Sequence, residues 1–164
     1  MGGGTMKSSA ITTAQFKLGT ALLPLLVKGI TEEHTMVRPG DIGNSINFIV
    51  GHVTATRFSL ARTIGLDAQF EWAPLYSRGA KVDPSGKYPS LGEVLDVWQR
   101  ISVKLEERLD NMTEDDLSTE SAVEYPGMEK TIRGAIGFLA FHESYHLGQL
   151  QYLRRLLGYN PLFG

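Results

Sequence analysis

The chain contains no cysteine. Disulfides, thiolate metal ligands and a cysteine nucleophile are therefore excluded, which leaves histidine and carboxylate as the strong metal ligands. Nor is charge of one sign in excess. Lysine and arginine total 16 against 18 aspartate and glutamate, a net charge of -2, which offers no electrostatic footing for nucleic acid or an anionic membrane. No uninterrupted apolar run approaches the roughly 18 residues of a membrane-spanning helix, so none is expected. The N-terminus lacks the basic stretch, apolar core and small-residue cleavage site of a secretory signal, so a cytoplasmic location is the default expectation. There is no internal repeat, glycine-rich phosphate loop or low-complexity tract.

What is present suits one globular domain. The 164 residues are 42% hydrophobic and 21% charged, ordinary values for a single soluble fold. Met1-Gly2-Gly3-Gly4-Thr5 precedes a second methionine, Met6, and reads as an appended cloning scar. Residues 6–164 are then the domain.

Thr131 to Leu157 carries the most information. The segment lacks proline and is followed by Gly158, and it reads as one helix of roughly 40 Å at about 1.5 Å per residue. Ile132, Ala135/Ile136, Leu139, Leu150, Leu153 and Leu157 form a stripe at alternating three- and four-residue spacing, which marks one buried face. His142 and His146 fill the gap in that stripe. Histidines four apart project from the same helix face. A buried imidazole needs a partner for each ring nitrogen, and one metal ion could serve both rings. Hydrogen-bonded core or interface histidines are the other reading of the pair.

Three further helices are expected. Ile11 to Lys28 has a start capped by Thr12 or Thr13, a bend at Pro24 and an end at Gly29. Ser45 to Ile64 is capped by Asn44 or Ser45 and closes at Gly65 and Leu66. Its inward face is read as Ile49, His52/Val53, Thr56, Leu60 and Thr63/Ile64, with Arg57 and Arg62 off it. Ser90 to Leu109 opens on the capping box Ser90-Leu91-Gly92-Glu93. Between them lie three connections. Thr31 to Asn44 is polar, and its His34 is read as solvated. Leu66 to Pro89 has no periodicity and is too apolar for a free linker, so it is expected to fold back over the bundle and wall a pocket. Asn111 to Lys130 holds a short helical turn from Thr113 and a brief extended stretch at Val123 to Tyr125.

Four helices with narrow apolar faces indicate an all-α four-helix bundle, whose sites are built in the core from facing helices. His52 from the second helix could then meet His142 and His146 from the fourth around one ion. Three histidines leave a coordination position open, the pattern of a catalytic rather than a structural site.

Phe141-His142-Glu143-Ser144-Tyr145-His146-Leu147-Gly148-Gln149-Leu150, with Leu153-Arg154-Arg155 and Gly158, resembles the C-terminal signature of the DinB-like superfamily. Asn44-Ser45-Ile46-Asn47-Phe48-Ile49-Val50-Gly51-His52-Val53 resembles its first-histidine helix. The resemblance runs from about Thr12 to Gly158. It implies an up-down four-helix bundle, one divalent ion (nickel or zinc foremost) on His52, His142 and His146, and a homodimer. It also implies a small-molecule substrate and thiol-dependent transferase or hydrolase-type chemistry. Bacillithiol, mycothiol or glutathione would be the cosubstrate thiol. An open three-nitrogen site suits Lewis-acid activation of a water or thiol near neutral pH. Gln149, one turn beyond His146, is a candidate to orient it. Glu143 is a candidate catalytic group, although about 100° round the helix from His142 it is expected to face solvent or the dimer.

Other readings compete. Glu143 and His146 form one Glu-x-x-His pair, which di-iron carboxylate bundles use twice, but no second pair exists here. A non-enzymatic, stress-associated metal-binding dimer and a helical interaction module without metal belong to a different functional class.

Overall fold

The computed structural model describes residues 10–80 and 87–163. The scar reading of Met1 to Thr5, and the Lys81 to Gly86 part of the expected pocket wall, lie outside them. Among the described residues six α-helices form: α1 (Ala10–Val27), α2 (Glu32–Thr35), α3 (Ile46–Thr63), α4 (Leu91–Asn111), α5 (Glu114–Ser118) and α6 (Ile132–Leu156). The four long ones make the expected bundle.

Local chemistry places most ends where the sequence puts them. Ser45 accepts from the Phe48 amide at the start of α3. Ser90 and Glu93 make the reciprocal capping box of α4, and Thr113 and Asp116 make another at α5. At α6 the Thr131 hydroxyl accepts from the Gly134 amide. Each such cap satisfies an amide that has no partner inside its helix.

Several details differ from the sequence expectation. Thr12 and Thr13 lie inside α1 rather than capping it, and the helix runs through Pro24 unbroken. Val123 to Tyr125 forms no strand. The pairing in that connection is one antiparallel bridge between Glu120 and Thr131. His34 is half-buried, with its Nδ1 2.7 Å from the Tyr159 hydroxyl. By length and composition α1 could cross a membrane, contrary to the expectation from uninterrupted runs. In the fold it is a wall of the bundle, with Phe16, Leu23, Leu26 and Val27 in the core.

Side-chain pairs give the helix directions. Lys17 meets Asp110 and Thr20 meets Glu106, so α1 and α4 are antiparallel. Glu143 lies against Gly19, and Arg154 donates to the Leu26 carbonyl, so α1 and α6 are parallel. Asn47 reaches Pro89, Arg57 reaches Ser102 and Arg108 reaches Ile64, so α3 and α4 are parallel. His52 meets His146 while Arg57 meets Glu143, so α3 and α6 are antiparallel. The order is up, down, down, up. The simple alternation breaks between α3 and α4, because the described residues 64–80 run back along α3, with Phe70 against Phe58 and Tyr76 against Gly51, instead of turning at its end. The long apolar connection is thus the crossover between two parallel helices.

Arg57 and Glu143 sit at the centre. Arg57 was placed off the inward face from sequence, yet it is 1% exposed. Its Nε and one terminal nitrogen grip both Glu143 carboxylate oxygens at 2.8 and 2.7 Å. The remaining N–H groups reach the Phe16 carbonyl and the Thr20 and Ser102 hydroxyls. All five guanidinium donors are satisfied, and the acceptors come from α1, α4 and α6. The guanidinium also lies 3.7 Å above the Trp98 ring. Burial pushes the Glu143 carboxyl upward and the Arg57 hydrogen bonds pull it back. A Cβ at position 19 would collide with Glu143, so this helix interior requires glycine.

Removing one member of a buried pair strands the other. Arg57→Met is expected to cost about 3–5 kcal/mol in urea unfolding, and Arg57→Met/Glu143→Leu to recover much of that loss. A double variant no more stable than Arg57→Met would contradict the pairing.

Candidate metal centre

Three imidazoles converge in the gap between α3 and α6. Nε2 of His142 lies 3.2 Å from Nε2 of His52 and 3.1 Å from Nε2 of His146. Their ligating atoms all fall within 4.8 Å of one another. The three residues proposed from spacing are therefore brought together.

Outer contacts aim two of the rings. Nδ1 of His52 lies 2.8 Å from the Tyr76 carbonyl. A carbonyl can only accept, so Nδ1 carries the proton and Nε2 keeps its lone pair. Nδ1 of His146 lies 2.8 Å from Oε1 of Gln149, which imposes the same tautomer. Gln149 thus occupies the orienting position expected from sequence. Nδ1 of His142 is buried with no hydrogen-bond partner among the described residues. Stacking positions this third ring instead: Phe138 lies 6.5 Å from it, and Tyr125 stacks on Phe138 at 4.7 Å. Phe48 stacks on His52 at 5.9 Å. The rings are held in largely apolar surroundings.

The crossover supplies the Tyr76 carbonyl. Tyr76 is fully buried, and its hydroxyl donates to Asn47, whose amide in turn donates to the Pro89 carbonyl. Its ring occupies the space that a side chain at Gly51 would need. The glycine directly before His52 therefore lets the crossover dock where it can orient that histidine. Burial also pushes the Tyr76 hydroxyl far above its ordinary range, so it remains a neutral donor.

Glu143 does not join the site. It adjoins His142 in sequence, but its 4% exposed side chain is committed to Arg57. It faces neither solvent nor a partner, and it cannot act as the carboxylate ligand of a di-iron centre.

A metal ion fits the donor set. Ligated at about 2.0–2.1 Å from three tetrahedrally placed imidazole nitrogens, it would hold them roughly 3.3 Å apart. The spacings of 3.1 and 3.2 Å are close to that. Two lone pairs are aimed inward by partners on the far side of their rings, the arrangement seen behind metal-ligating histidines. Burial and then its two histidine neighbours lower the His142 pKa to about 4, and burial lowers that of His146. Both are neutral at pH 7, as a ligand must be.

Residues 15–150 match the DinB superfamily. The chain belongs to that superfamily. No curated protein matches this DinB chain. Several solved structures share its fold, two of them as follows. YfiT from Bacillus subtilis is described as a probable metal-dependent hydrolase with an unusual four-helix bundle topology. It is 16% identical, with a TM-score of 0.66 over 98% of this chain and 94% of its own. A DinB-like protein from Bacillus cereus is 18% identical, with a TM-score of 0.69 over 92% of this chain and 93% of its own.

The depressed His142 pKa has a sign. Between about pH 6.5 and 4 the unfolded chain would bind a proton at His142 that the folded chain does not. This contribution to metal-free stability is complete above pH 6.5 and is lost as pH falls towards 4. In an NMR titration of metal-free protein, the His142 ring is expected to stay neutral through pH 6 and titrate near 4. Titration near 6.5 would contradict its burial.

Proposed function

We propose that this DinB protein is a metal-dependent enzyme in which His52, His142 and His146 hold one divalent ion, nickel or zinc. The convergence of three Nε2 atoms, two of them aimed by hydrogen bonds at the opposite ring nitrogen, carries the reading. When bound, such an ion supplies Lewis-acid activation of a nucleophile at neutral pH. The nucleophile is water in a hydrolase or a low-molecular-weight thiol in an S-transferase. The description of YfiT as a probable metal-dependent hydrolase supports the first. The half-buried Phe138 beside His142 favours a small substrate with an apolar body. No carboxylate hydrogen-bonds to the three histidines among the described residues, so no general base is assigned.

Metal content by plasma mass spectrometry tests this. About one equivalent per chain is expected in the parent protein, and none in His52→Ala/His146→Ala. Ester hydrolysis and thiol transfer to electrophiles are then compared on the loaded protein. Undiminished metal in the double variant, or no metal in either protein after divalent ions are offered, would overturn the reading.

We also propose a cytoplasmic homodimer. Ile11, Leu18 and Leu25 on the outward face of α1 are 69%, 57% and 44% exposed. Ala14 and Ala21 lie between them, also exposed. Spacings of three and four make this a helix-pairing seam. A metal-binding dimer without catalysis would use the same seam. Sedimentation is expected to show a dimer at micromolar concentration, and a monomer for Leu18→Glu with helicity kept. A monomeric parent protein would count against the dimer.

A further inference from the structure

We propose that the groove between the crossover and α4 binds a small aromatic anion. The groove has a volume of about 910 Å3, within the roughly 300–1,000 Å3 of small-molecule sites. None of the three histidines lines it, so this ligand is distinct from whatever meets the metal centre.

One wall is aromatic. Residues 67–71 alternate between exposed and buried, with Ala68 and Phe70 buried and Asp67, Gln69 and Glu71 exposed. Phe70 stacks on Phe58 at 5.2 Å and makes a T-shaped contact with the half-buried Trp72 at 5.8 Å. All three rings line the groove. Packing fixes Phe58 and Phe70, while Trp72 keeps part of its indole accessible. Such a wall offers a flat apolar body a surface to stack on.

The other wall is one side of α4. Val97, Arg100/Ile101 and Lys104 recur there at spacings of three and four. Ile101 is buried and Val97 half-buried, so the base of this wall is apolar. Arg100 and Lys104 are exposed beside them, one turn apart. Like charges at that spacing disfavour each other. Neither side chain makes a hydrogen bond or an ion pair among the described residues. An anion between them relieves the repulsion, and the arginine fork can donate to two oxygens of a carboxylate or sulfonate at once.

The acids of the groove orient the ligand. Asp67 and Glu71 stand on the crossover rim, where they repel a second negative group. The charged end therefore lies against α4, and the apolar body lies against Phe70 and Trp72. Charge complementarity thus selects a molecule with one anionic group at one end of a flat body.

Anilinonaphthalene sulfonate is the probe, with anilinonaphthalene as the same body without charge. Fluorescence titration reads affinity, and methyl and indole NMR shifts read location. The proteins compared are the parent, Arg100→Gln/Lys104→Gln, and Lys28→Gln/Arg155→Gln, which removes the same charge from exposed residues that do not line the groove. Circular dichroism checks that helicity is kept.

In the parent the sulfonate is expected to bind at one site and to shift the Trp72 indole and the Val97 and Ile101 methyls. Arg100→Gln/Lys104→Gln should weaken it about five- to thirtyfold, the range of two partly exposed ion pairs. Lys28→Gln/Arg155→Gln should leave it unchanged, and the uncharged probe should bind all three proteins alike. Absence of saturable binding, or shifts confined to another surface such as the outward face of α1, would overturn the proposal. So would equal sulfonate affinity in the two variants, or a parallel loss of the uncharged probe. No histidine ligand takes part, so the outcome judges this groove whether or not the metal reading stands.

Discussion

The guanidinium of Arg57 is the constraint on which the bundle closes. One side chain on α3 satisfies acceptors on each of the other three long helices, with all five donors used. Burying a charge without such satisfaction costs several kcal/mol. A slip of any helix by one turn would strand a donor or the Glu143 carboxylate, which makes helix register costly to change in a way that apolar packing alone does not. Gly19 follows from the same contact, since any larger residue would displace the carboxylate.

That register is also the register of the metal centre. Glu143 directly follows His142 on α6, and Arg57 lies five residues beyond His52 on α3. Pairing Arg57 with Glu143 in antiparallel helices therefore puts His52 within reach of His142 and His146. The crossover does the rest. Because α3 and α4 run parallel, the chain after α3 turns back along it, and on the way Tyr76 docks over Gly51 and gives its carbonyl to His52. The topology thus brings the Tyr76 carbonyl to His52 from outside the four long helices.

Much of this was legible in the chain. The His142/His146 pair in an otherwise apolar stripe pointed to the site, and the capping residues marked most helix starts. The misplacements have a common cause. Arg57 falls on the stripe Ile46, Ile49/Val50, Val53, Leu60/Ala61 and Ile64, and Glu143 continues the stripe through Leu139, His146 and Leu150. Phasing the helices on His52/Val53 and on His142 turned both positions outward, whereas these wider stripes put them in the core. Two opposite charges on the inward stripes of two helices were the available signal for a buried pair. The Tyr76 carbonyl left no such trace, because a main-chain acceptor belongs to every residue. The His34–Tyr159 contact spans too much sequence to be read locally, and the apolar content of α1 serves an inner and an outer face at once.

The central claim is that three imidazoles, two of them oriented by Tyr76 and Gln149, form one metal centre. Anomalous diffraction from crystals of the zinc-loaded chain, collected on both sides of the zinc edge, tests it most directly. The account predicts one strong peak per chain, bonded to Nε2 of His52, His142 and His146, with the Nδ1 contacts to Tyr76 and Gln149 kept. A peak bound through other residues, or three imidazoles hydrogen-bonded to one another with zinc absent, would contradict it.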